Sequence, residues 1–157
     1  MRVLLILVLW TASAVGIATQ NQSATESLAL RPPDNCEGNS LRLDVVRNKS
    51  LAAGEKKVTI AIARLGNGEQ SRELNRRRLY TIRAYLTAME LPPQRLITAE
   101  GERVLGYGRI ELYVGGELVE ILSVEQRKDL WVGICDDDVT DKRRYQLPRR
   151  GVANPCR

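Results

Sequence analysis

The stretch from Ser71 to Glu90 constrains the fold more than any other part of the chain. Placed on a helix, Leu74, Ile82, Tyr85, Leu86 and Met89 gather on one side, as in an amphipathic helix with one buried face. Ser71 stands where an N-cap belongs, and Leu91-Pro92-Pro93 ends the run because proline cannot continue a helix. Just upstream, Val58-Thr59-Ile60-Ala61-Ile62-Ala63 is β-branched and alternating, which predicts a strand. Gly66-Asn67-Gly68 turns the chain between the two. A strand followed by a helix folded back on it predicts an α/β layer structure.

The remaining elements are shorter. Arg95 to Ala99 reads as a strand. Ile110 to Val114 and Leu118 to Leu122 flank Gly115-Gly116, the signature of a hairpin. Residues 39–53 suit either a strand (Leu41, Leu43, Val45) or a helix (Leu41, Val45, Val46) capped by Asn39 or Ser40. The helix is preferred, since Gly54-Glu55-Lys56-Lys57 supplies a stop. Ser27-Leu28-Ala29-Leu30 has strand character. Residues 124–157 read as irregular, with one candidate strand around Leu130 to Ile134.

One residue breaks the helical pattern. Arg76 and Arg83 point away from the apolar stripe, but Arg78 falls about 40° from Leu74, inside it. An arginine there must snorkel, meet a buried acid or serve a ligand. Two readings stay open. Arg78 pairs internally, with Glu111 or Glu120 as candidate partners, or its planar fork receives a ligand carboxylate. In the second case Arg64, Asn67 and Glu69, from the loop before the helix, would complete a lining suited to a zwitterionic group.

The N-terminus reads as an export signal. Met1-Arg2 is followed by the apolar run Val3 to Trp10 and by small residues up to Ala18. The run is shorter than the about 20 residues a membrane span needs, so cleavage after Ala18 is expected to leave no transmembrane segment. No cysteine follows closely, and no lipid attachment is expected. The expected organisation is a signal peptide at 1–18, a flexible lead-in at 19–38, the α/β domain at 39–123 and a C-terminal extension at 124–157. In an oxidising compartment Cys36, Cys135 and Cys156 predict one disulfide and one leftover thiol. Cys36–Cys135 and Cys135–Cys156 both remain open, and either would tie down the extension. Asn21-Gln22-Ser23 and Asn48-Lys49-Ser50 match the N-glycosylation triplet.

The chain has no His, which removes the commonest general base at neutral pH and argues against a zinc site. The formal charge of +5 is mild, and there is no Phe to build a base-stacking platform, so nucleic acid is not an expected partner. No cofactor is expected. Asp136, Asp137, Asp138 and Asp141 offer a weak cation or acid-pair reading, but beside Lys142-Arg143-Arg144 they read as a solvated turn. The chain is therefore read as non-catalytic.

Several of these segments together resemble the OmpA-like peptidoglycan-binding domain. The relevant pieces are Ile60 to Glu69, Leu74-Asn75-Arg76-Arg77-Arg78-Leu79, Tyr85-Leu86, Pro93-Gln94-Arg95-Leu96-Ile97 and Gly108-Arg109-Ile110-Glu111-Leu112. In that family a strand leads to a Thr-Asp-x-x-Gly loop, a helix carrying Leu-Ser-x-x-Arg-Ala and Tyr-Leu, then Pro-x-x-Arg-Ile. The resemblance covers roughly residues 41–115. It implies a β-α-β-α-β-β mixed sheet with both helices on one face. It also implies non-covalent binding of the diaminopimelate of peptidoglycan stem peptides through a loop Asp and a helix Arg. The family's Arg falls on Arg78 and its Gly on Gly66, but its Asp falls on Ala63. The expected function is a binding module of the cell envelope or secreted space, taking peptidoglycan or another carboxylate-bearing envelope component. The alternative is a degenerate member acting as a structural or protein-interaction domain, with Arg78 paired internally.

Overall fold

The computed structural model describes residues 31–133. Helix α1 (Cys36–Ala52) opens at Asn35, whose side chain accepts a hydrogen bond from the Gly38 N–H at 2.8 Å. It therefore starts earlier than the expected cap at Asn39 or Ser40. Asn39 turns inward instead and donates to the Trp131 carbonyl at 3.0 Å. The buried stripe is Asn39, Leu43, Val46 and Ser50. Leu41 and Val45, assigned to that stripe by sequence, are 68% and 53% exposed.

The end of α1 is closed from a distance. Arg95 Nη2 donates to the carbonyls of Ser50 at 2.6 Å and Gly54 at 2.9 Å, and its Nε donates to that of Lys57 at 3.0 Å. Carbonyls at a helix C-terminus lack intrahelical donors, and a cation there is favoured by the helix dipole. Ser50 itself is buried and accepts from the Thr59 hydroxyl at 2.8 Å. The triplet Asn48-Lys49-Ser50 thus lies within a helix, with its serine occupied by the core.

Strand β1 (Thr59–Arg64) and strand β2 (Leu96–Glu100) are parallel. Parallel neighbours need a crossover, here helix α2 (Arg72–Ala88) and a short 3-10 turn at Pro93–Arg95. Ser71 occupies the N-cap position of α2, but its side chain makes no capping hydrogen bond. Strand β3 (Gly108–Val114) runs antiparallel to β1, and β4 (Glu117–Val124) returns beside it. Gly115 and Gly116 join them with φ of 60° and 91°, the left-handed geometry of a two-residue hairpin turn. The sheet order is β2-β1-β3-β4.

Both helices pack on one face of this four-stranded mixed sheet, giving an α+β sandwich. Leu43 and Val46 of α1 and Ile82, Tyr85 and Leu86 of α2 meet Ala61, Ala63, Leu96, Ile110, Leu112, Val114 and Leu122 in a single core. Side chains alternate across a strand, so Ile60, Ile62, Arg64, Ile97, Arg109, Glu111 and Tyr113 share the opposite face. Among the described residues no helix is long and apolar enough to cross a membrane.

Residues 130–133 form no strand, contrary to the sequence expectation. Leu130 and Val132 enter the core, while Trp131 O and Gly133 N are taken by Asn39 and Ser40 of α1. With its backbone committed there, the segment has no ladder to join. Residues 125–133, placed by sequence in the C-terminal extension, pack on the same core as the domain. The strand expected at Ser27 to Leu30 lies outside the described residues.

Candidate functional site

The loop between β1 and α2 brings a carboxylate to the arginine that the helical pattern singles out. Gly66 cannot carry a side chain, because a Cβ would collide with the backbone of Gly106 and Gly108. That close approach folds the loop inward and buries Glu69 at 1% exposure. Glu69 then faces Arg78 across a fork-to-fork pair. Arg78 Nη2 donates to Glu69 Oε1 at 2.6 Å, and Nη1 donates to Oε2 at 3.0 Å. Both side chains are fully buried.

Each member of the pair is satisfied. Glu69 Oε2 also accepts from the Gly66 N–H at 2.8 Å, and Oε1 from the Arg127 N–H at 2.8 Å. A carboxylate has about four lone-pair sites, and all are used. Arg78 also donates to the Lys128 carbonyl, from Nε at 3.2 Å and from Nη2 at 2.9 Å, and Nη2 reaches the Glu125 carbonyl at 3.4 Å. Gly108 backs the pair, since a Cβ there would strike Arg78 Nη1 and Glu69 Oε2. The result is a closed network joining the loop, α2 and residues 125–128. A shallow hollow of about 330 Å³ abuts the network, lined by Gly68, Glu69, Ser71, Leu74, Arg77 and Arg127, but Arg78 does not line it.

The other predicted site residues are dispersed. Arg64 is on the opposite face of the sheet, where its Nε lies 3.0 Å from Glu111 Oε1. Asn67 is exposed at the loop tip, its backbone held by Gly106 O and by Gln126 Nε2. Ala63, which stands where the resembled family has its Asp, is fully buried in the core, and its carbonyl accepts from Asn75 Nδ2 at 3.2 Å. The expected internal partners of Arg78 are corrected as well. Glu111 is engaged by Arg64, Arg109 and Tyr113, and Glu120 by Arg42. Neither reaches Arg78, because Glu111 faces the other side of the sheet and Glu69 already fills the fork.

Sequence reasoning did not find the groups from residues 125–128. They act through backbone N–H and carbonyl atoms, which every residue type carries. Cys36 opens α1, while Cys135, Cys156 and the acidic cluster Asp136 to Asp141 lie outside the described residues. Among the described residues no cluster of His, Cys, Asp or Glu suited to a metal ion occurs.

The electrostatics of the two buried glutamates gives a pH prediction. Burial pushes the Glu69 carboxyl up, but hydrogen bonds from Arg78, Gly66 and Arg127, with the charge of Arg78, more than offset it and hold it below its ordinary value. Glu111 behaves alike: burial raises it, while Arg64, Arg109 and Tyr113 bring it down further. A depressed folded value stabilises the fold above the unfolded value of 4.5 and is lost as pH falls through the folded one. Urea unfolding followed against pH should therefore show stability falling below about 4.5, with a shallower slope for Glu111→Gln.

Against protein-family models, curated proteins and solved structures alike, the chain matches nothing, so the resemblance to the OmpA-like domain stands on the motifs alone.

Proposed function

We propose that the chain is an exported, non-catalytic interaction domain in which Arg78 works as an internal clamp. The observation that carries this is the fully buried, bidentate pair between Arg78 and Glu69. Recognition of a ligand carboxylate by Arg78 would require Glu69 to leave and two backbone N–H groups to lose their acceptor. Removing one partner from a buried charge pair costs about 3–5 kcal/mol, a cost that a ligand would have to supply before binding began. The clamp instead fixes the β1–α2 loop and the segment after β4. It leaves the outer faces of the domain free to make contacts.

Co-sedimentation with purified peptidoglycan tests the choice. Any retention of the wild-type chain should be unchanged in Arg78→Lys, which keeps the internal charge. Retention that disappears in a folded Arg78→Lys chain would show Arg78 acting on the ligand and would reinstate the peptidoglycan reading.

A further inference from the structure

Among the described residues, β2 is an edge strand with β1 on one side and no strand on the other. The Gly101 N–H bonds to the Ala63 carbonyl. By the two-residue repeat of a strand, Ile97 and Ala99 then turn their backbone groups to β1, and Thr98 and Glu100 turn theirs outward. A groove of about 370 Å³ runs between this edge and α2, with Arg76, Tyr80 and Arg83 on the helix side and Thr98 and Glu100 on the strand side. Arg72, Arg76, Tyr80 and Arg83 fall within a sector of about 80° on α2, so a basic stripe borders the open edge.

The charges in this groove are unequal. Arg76 pairs with Glu73 at 2.7 Å, and Arg72 lies 3.6 Å from Glu100. Arg83 is exposed and has no acidic partner among the described residues. On the sheet's other face Ile97 is 48% exposed beside Ile60.

We infer that the β2 edge is a docking site for an extended acidic segment of a partner protein, added as a further strand. Main-chain hydrogen bonds to Thr98 and Glu100 would supply the pairing, and alternate side chains would supply selectivity. One row of the incoming strand meets Arg83, the groove arginine with no acidic partner among the described residues, and is acidic. The other row lies beside Ile97 and is apolar. A second copy of this chain fits poorly, because pairing β2 with β2 would bring two arginine stripes together. The inference rests on reading the chain as an interaction domain and names the chemistry of its partner.

Fluorescence anisotropy of the intact chain with a short labelled peptide of alternating Glu and Val tests it. Saturable binding is expected, with little or none for the peptide carrying Lys in place of Glu. Arg83→Glu should weaken it by about tenfold. Thr98→Pro removes an outward N–H without touching the β1 ladder, as proline is tolerated on an edge, and should weaken it by about as much. Equal binding of both peptides, affinity unchanged in both variants, or an edge already filled by dimers that Thr98→Pro dissociates would overturn the inference. Failure here, with peptidoglycan retention still independent of Arg78, would remove the edge site and leave the internal clamp standing.

Discussion

Arg78→Ala is expected to lower the unfolding free energy by about 3–5 kcal/mol, measured as a shift in the denaturant midpoint. The substitution strands the Glu69 carboxylate in a fully buried position and takes the donors from the Lys128 carbonyl. Glu69→Ala should cost a similar amount for the complementary reason. It leaves a buried guanidinium without a counterion, and the Gly66 and Arg127 N–H groups without an acceptor. Because the two residues share one network, their effects should not add. The double variant Arg78→Ala/Glu69→Ala should be less destabilised than the sum of the two single losses by at least about 1 kcal/mol. Additive losses would mean that the pair contributes through packing alone.

The second large effect is expected at Gly66. A Cβ there would press on the Gly108 nitrogen and the Gly106 carbonyl oxygen, backbone atoms that cannot rotate aside as a side chain does. The Gly106 carbonyl also accepts the Asn67 N–H at 2.9 Å, so moving it breaks the loop's own anchor. Gly66→Ala should therefore cost roughly 3 kcal/mol, the upper part of the range for overpacking, and loosen the Glu69 pair with it. Gly54→Ala is the useful comparison. Gly54 has φ of 84° but open space around its Cβ position, so only left-handed strain applies, at about 1–2 kcal/mol. A Gly66 variant no worse than the Gly54 variant would remove close backbone approach as the reason for this glycine.

The fold was legible where side-chain periodicity carried the information. The stripe of Leu74, Ile82, Tyr85 and Leu86, the alternation in β1 and the Gly115-Gly116 hairpin all lie where pattern places them. Arg78 stood out for the same reason, since an arginine on the buried side of a helix needs an explanation. Long-range partners were not legible. Glu69 follows a glycine turn and carries no periodicity of its own, and its burial depends on how closely Gly66 approaches Gly108. The early start of α1 was hidden because Asn35 falls in the polar lead-in, while Asn39 and Ser40, further on, can cap a helix equally well. The apolar run from Leu130 suggested a strand in an otherwise irregular tail, but Leu130 and Val132 are buried in the core without belonging to any ladder.

The central claim is that the guanidinium of Arg78 is closed inside the protein by Glu69. Its side-chain Nε–H resonance, followed by heteronuclear NMR during titration with diaminopimelate, tests this most directly. A resonance that exchanges slowly with solvent and does not move across the titration is the predicted result. A resonance that exchanges freely, or that shifts saturably with added diaminopimelate, would contradict the account and return Arg78 to the role of ligand receptor.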